Sequence, residues 1–106
     1  MGFCQLWLTC EDAAEADAIT QVLLDQKLIA CAKQIPVTAD FAWKGQKEHN
    51  DEILLVMESR EELFDQVEAE VAKRHSYETF VLQAIPISRL SKKAETWLSE
   101  ETNHEQ

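Results

Sequence analysis

An α+β fold, a four-stranded antiparallel sheet of βαββαβ order with a closing C-terminal helix, is predicted by three observations. Two stretches repeat apolar residues at helical offsets of three and four, each is flanked by strand-like segments, and Lys44-Gly45-Gln46 supplies a turn between the two middle strands. With both helices on one face of the sheet, this is the ferredoxin-like arrangement. The order is set out over 1–100 as one domain, followed by a polar acidic tail at 101–106.

Phe3 to Thr9 reads as the first strand, with Cys4, Leu6 and Leu8 on one face and Phe3, Gln5 and Trp7 on the other. Glu11 to Lys27 is helical: Ile19, Val22, Leu23 and Gln26 form its stripe, Thr9 or Cys10 precedes it, and Glu11 and Asp12 suit the positive end of the helix dipole. Leu28 to Trp43 is a long extended segment, in which Pro36 cannot donate to a ladder and implies a bulge or a sheet edge. Asp51 to Ser59 returns as a strand whose Ile53-Leu54-Leu55-Val56-Met57 run has no polar face, as expected of a strand buried on both sides. Ser59-Arg60-Glu61-Glu62 has capping-box spacing before a helix with Leu63, Phe64, Val67 and Val71 inward. Lys73, Arg74 and His75 then place positive charge at the negative helix end. Thr79 to Ile87 is the last strand, Leu90, Ala94, Trp97 and Leu98 mark the closing helix, and Ser99 to Gln106 is expected to fray.

Ten basic residues against twenty acidic ones give a net charge of −10, which repels nucleic-acid backbones and anionic lipid and favours cations or basic partners. The apolar content of 45% is that of a globular chain, and no run approaches the ~20 residues that cross a membrane. The start lacks the basic and apolar regions of a secretory signal, so a cytoplasmic location is expected, without nucleic acid or membrane as partner. Cys4, Cys10 and Cys31 form no C-x-x-C pair and read as reduced thiols.

Helices on one side cannot cover a sheet that is apolar on both. Phe3 and Trp7, with either Ile53, Leu55 and Met57 or Leu54 and Val56, would form an exposed patch larger than soluble monomers tolerate. The long edge segment also offers unpaired backbone groups to another chain. An oligomer joined through sheet face and sheet edge follows.

Leu28-Ile29-Ala30-Cys31, Ile35-Pro36, Trp43-Lys44-Gly45 and His75-Ser76-Tyr77-Glu78, in this order, resemble the CutA family of divalent-cation tolerance proteins over about residues 3 to 98. The resemblance implies a homotrimer in which each long hairpin reaches over its neighbour. It implies no reaction and no required cofactor, and names copper or another divalent cation as a weak ligand. It makes His75 the metal-ligand candidate, an imidazole suiting copper; a cation at the helix C-terminus is the structural alternative. It also implies that Trp43, Lys44, His75, Tyr77 and Glu78 meet at a cleft between subunits, suited to a small anion or zwitterion. The alternative there is interface packing by Trp43 and Tyr77 with a Lys44–Glu78 ion pair.

Several relatives carry a Cys just before the Thr that closes the first strand. Here that place is Leu8, and Cys10, beyond Thr9, does not take over the role. Cys4 and Cys10 are separated by about 20 Å of strand, and Cys31 is placed at the opposite end of the sheet from Cys10, so no thiol pair forms; Cys31 reads as a buried small apolar residue, with metal or redox chemistry as the alternative. The segment departs from the family's H-P-Y-E-x-P-E at Ser76, Phe80 and Val81, Ala42 stands where many relatives have a second aromatic, and Gln46 replaces a usual Lys. No nucleophile–base pattern, phosphate loop or zinc motif points to an enzyme. Three functions follow: divalent-cation tolerance, a small-molecule sensor like the PII signalling proteins, or a scaffold trimer.

Overall fold

The computed structural model describes residues 2–102. Four strands pair antiparallel in the order β2-β3-β1-β4, formed by β1 (Phe3–Cys10), β2 (Cys31–Trp43), β3 (Gln46–Arg60) and β4 (Leu82–Pro86). The helices are α1 (Ala13–Asp25), α2 (Phe64–Ala72), entered through a 3-10 turn at Glu61–Leu63, and α3 (Lys92–Glu101). The ferredoxin-like order read from the sequence is the one observed.

β1 alternates strictly. Cys4, Leu6, Leu8 and Cys10 are buried under α1 and α2, and Phe3, Gln5, Trp7 and Thr9 are half-covered on the opposite face. The register decides what the sequence left open for β3: Leu8 pairs with Leu55 and Leu6 with Met57, so Ile53, Leu55 and Met57 face the helices, while Trp7 and Thr9 pair with Val56 and Leu54 on the outer face. Ala16, Ile19 and Leu23 from α1, Leu63, and Val67 and Val71 from α2 close over the inner face. Each fully buried aliphatic side chain there stabilises the fold by roughly 1.5–3 kcal/mol.

Both helix starts differ from expectation. Asp12, not Thr9 or Cys10, is the N-cap of α1, its carboxylate accepting the Glu15 N–H at 2.9 Å. The buried stripe accordingly shifts to Ala16, Ile19, Thr20 and Leu23, leaving Gln26 exposed. Ser59 does not cap α2. It stays in β3, fully buried, and its hydroxyl donates to the Leu28 carbonyl at 2.6 Å, a group left without a ladder partner.

That carbonyl is free because α1 ends in a Schellman turn. Lys27 sits at φ 59° and donates to Leu24 O, while Leu28 N–H reaches Leu23 O at 2.9 Å. Leu28 and Ile29 drop into the core, and the strand begins only at Cys31. β2 is an edge strand, which accommodates Pro36, and its register with β3 runs unbroken from Cys31↔Glu58 to Trp43↔Gln46, so there is no bulge. Lys44 at φ 50° and Gly45 at φ 80° form the two-residue turn, both in the left-handed region that matches hairpin twist. β3 is longer than its apolar run suggested, because ladder pairing carries it through the polar 46–52 stretch. β4 is shorter than expected, pairing with β1 only from Leu82 to Pro86.

α3 packs beside one end of the outer face. Arg60, whose guanidinium lies 5.1 Å from the Phe3 ring, donates to Thr102 Oγ1 at 2.8 Å and Ser99 O at 3.2 Å, a cation at the negative end of α3. Ser99–Thr102 is thus ordered helix and buried cap rather than a fraying tail; the expected tail from 103, including His104, lies outside the described residues. The rest of the outer face has no helix over it. Ile35, Phe41, Trp43 and Ile85 on that face are exposed.

Candidate metal and ligand sites

Three chemically different donors converge at the far end of β1. Cys10 ends that strand with its thiol inward, Glu15 stands in the first turn of α1, and His75 follows α2; one ligand atom from each lies within 4.8 Å of the others. The sequence reading set Cys10 aside. The strand in fact continues one residue past Thr9, and the alternation that buries Leu6 and Leu8 turns Cys10 the same way, toward His75. Glu15 was not singled out at all; its only signal was its place three residues after Asp12.

Two of the donors, His75 and Glu15, already have hydrogen-bond partners. The His75 ring is fully buried, with Nε2 2.8 Å from the Thr9 carbonyl and Nδ1 accepting the Tyr77 N–H at 3.0 Å, a pairing met by the neutral tautomer protonated at Nε2. It is stacked on Phe80, 5.3 Å between centroids. The ring therefore does not cap the α2 dipole; its backbone N–H does, on Val71 O, while Arg74 reaches the Glu70 carbonyl and carboxylate. Glu15 accepts the N–H groups of Glu11 and Ser76. Burial raises its pKa, but these hydrogen bonds with the nearby His75 outweigh it, and the net shift is downward. Burial first, then the charges of Glu15, Asp12 and Glu52, push the Cys10 thiol up to about 12. Thiol, imidazole and carboxylate together suit copper or zinc better than magnesium or calcium. The set fits such an ion on two conditions: Cys10 must lose its proton, and Nδ1 must exchange its N–H partner for the metal.

Trp43, Tyr77 and Glu78 meet within one subunit. They line a cavity of about 360 Å³ with Phe41, Glu48, Asn50, Ser76 and Thr79. Lys44 and His75 do not line it, and Lys44 lies over the Trp43 ring at 5.4 Å instead of pairing with Glu78. Phe41 supplies the second aromatic that Ala42 lacks, because residues 41 and 43 share a strand face. Neither Gln46 nor Val81 contributes to the lining. Tyr77 is held by its hydroxyl, which donates to the buried Glu52 carboxylate; burial and that bond raise its pKa.

Cys31 is on the outer face, not in the core. It is half-buried, its Sγ lies 2.7 Å from Glu58 Oε1, and Lys33 Nζ is 3.5 Å from the sulfur; burial and Glu58 raise its pKa. The geometry expected of the thiols holds otherwise: Cys31 is level with Gln5 and Glu58, and Cys10 with Ile53 at the other end.

A ferredoxin-like subunit that gathers a thiol, an imidazole and a carboxylate at the end of its first strand is a small α+β protein with a candidate cation site. The chain belongs to the CutA1 divalent ion tolerance protein family, whose model matches residues 4–101. It is 36% identical over 95 residues to the divalent-cation tolerance protein CutA of Archaeoglobus fulgidus, covering 90% of this chain and 93% of that protein. It is 27% identical over 97 residues to the Pyrococcus horikoshii protein of the same name, covering 92% and 95%. The solved structure of the A. fulgidus protein, described as periplasmic, superposes with a TM-score of 0.91 at 34% identity, over 93% of this chain and 97% of that one. The family is known by a tolerance role rather than by a reaction. No helix among the described residues is long and apolar enough to cross a membrane.

Proposed function

We propose that this protein serves tolerance to divalent cations, copper foremost, as a cytoplasmic homotrimer that binds the ion weakly and catalyses no reaction. The observation that carries the reading is the convergence of Cys10, Glu15 and His75 within 4.8 Å. Weak binding follows from their existing partners: an ion must displace the Tyr77 N–H from Nδ1 and the proton from Cys10, so affinity rises with pH. The trimer is supported by the outer face, where Trp7 and Leu54 are half-covered and Ile35 and Ile85 exposed. The family's membership adds to both.

Anaerobic copper titration of the wild type, His75→Ala and Cys10→Ser tests the site. Both variants are expected to lose about tenfold or more in affinity, as one ligand of three is removed. Unchanged affinity in His75→Ala would leave the metal role without a residue here. A second reading, a small-molecule sensor of PII type, is favoured by one observation, the aromatic-walled cavity beside Trp43 and Tyr77. Saturable metabolite binding there with no copper site would move the assignment to it, and absence of both would leave a scaffold.

A further inference from the structure

The cavity in the hairpin has an unusual pairing of walls and charge. Phe41, Trp43 and Tyr77 line a volume of about 360 Å³, within the range of small-molecule sites, and among the described residues its only charged lining residues are Glu48 and Glu78. The sequence suggested an anion or zwitterion, with Lys44 as the cationic partner. Lys44 instead folds onto the Trp43 ring and leaves the lining without a positive group. Carboxylates alone would be an ordinary solvated surface. Here they rim an aromatic enclosure, and the ring faces carry negative quadrupole density, so both features select the same ligand sign.

One wall is also fixed in advance. Tyr77 is tied at its hydroxyl to Glu52, which is 6% exposed, and at its backbone N–H to His75 Nδ1, so the ring needs little ordering when a ligand arrives. Glu52 adds a further carboxylate at the hydroxyl end of that ring. The chain's net charge of −10 raises the local concentration of cations around the whole surface.

We propose that this cavity binds a small organic ammonium ion, its cationic head held against Trp43, Phe41 and Tyr77 and its charge balanced by Glu78 and Glu48. The inference rests on the small-molecule reading of the cavity and adds the sign and chemical class of the ligand. It uses none of the copper-ligand candidates as lining, although His75 and Glu15 hold the backbone N–H groups of the lining residues Tyr77 and Ser76.

The test is an NMR titration of the metal-free protein, at constant ionic strength, with tetramethylammonium, its neutral isostere tert-butanol, and acetate, reading the Trp43 indole N–H and the Tyr77 backbone amide. Tetramethylammonium is expected to give saturable shifts of both signals, with tert-butanol about tenfold weaker or worse, and Trp43→Leu and Glu78→Gln each weakening the ammonium by about tenfold. Equal response to tert-butanol would reduce the cavity to an apolar pocket and overturn the ammonium assignment. Saturable binding of acetate without tetramethylammonium would overturn it while leaving a small-molecule site. No response to any probe, as when a neighbouring copy fills the space, would overturn both.

Discussion

The two faces of the sheet are built from similar residues and end in different situations. On the inner face Leu6, Leu8, Leu55 and Met57 are fully buried by α1 and α2. On the outer face Trp7, Leu54 and Val56 stand in the same strands, one residue out of phase; Val56 is buried, Trp7 and Leu54 are only half-covered, and α3 reaches the end near Phe3 and Arg60. The inner face therefore carries the subunit's own stability, and the outer face is the one left for the contacts of the proposed trimer. The polar chemistry divides in the same way. At the inner face Cys10 is buried, and Glu15 and His75 are held by hydrogen bonds. At the outer face Cys31, Glu58 and Lys33 form a partly open cluster, and the aromatic cavity lies farther along the hairpin.

The sharpest way to break this comparison is to charge the outer face. Trp7→Glu is expected to dissociate the assembly to a 12.2 kDa species by sedimentation while far-ultraviolet circular dichroism stays that of the folded chain. Unfolding instead of dissociation would mean that the two faces are not separable. Leu8→Ala, on the inner side of the same strand, should do the opposite: a loss of about 2–5 kcal/mol in denaturant unfolding, from transfer and cavity costs, with the oligomer retained until the chain unfolds. A loss confined to assembly would reverse the assignment of faces.

The smallest effect concerns the polar end of β1. Glu15 is held below its ordinary carboxylate pKa of 4.5, so the stability it contributes is present above that value and is lost as pH falls through its lower folded-state pKa. Glu15→Gln should flatten this acid limb of the stability–pH profile by lowering stability at neutral pH, with the two proteins converging at acid pH. An identical acid limb in the variant would place the stabilising carboxylate elsewhere.

Much of the fold was legible because its signals are local. The alternation of β1, the Trp43-Lys44-Gly45 turn, and the stripe Leu63, Val67, Val71 needed only neighbouring residues. Capping was less legible: Ser59-x-x-Glu62 has the spacing of a capping box, but the Leu28 carbonyl, 31 residues away, competes for the hydroxyl and wins because it is buried without another partner. The candidate site divides similarly. His75, Trp43, Tyr77 and Glu78 were identified through the motif, whereas Glu15 and Glu52 have no local mark and enter through hydrogen bonds to Ser76 and Tyr77.

By itself the sequence determined the element types, the ferredoxin-like order, the family and the need to cover a second apolar face, because periodicity and composition are properties of short windows. Only the tertiary structure decided which side of β3 faces the helices, since alternation defines two faces and register against β1 chooses between them. It also brought Cys10 beside His75 and laid Lys44 over the Trp43 ring of its own chain. His75 reaches Thr9 across 66 residues of chain, a distance closed by the antiparallel packing of the sheet and its two inner helices, which no short-range pattern records.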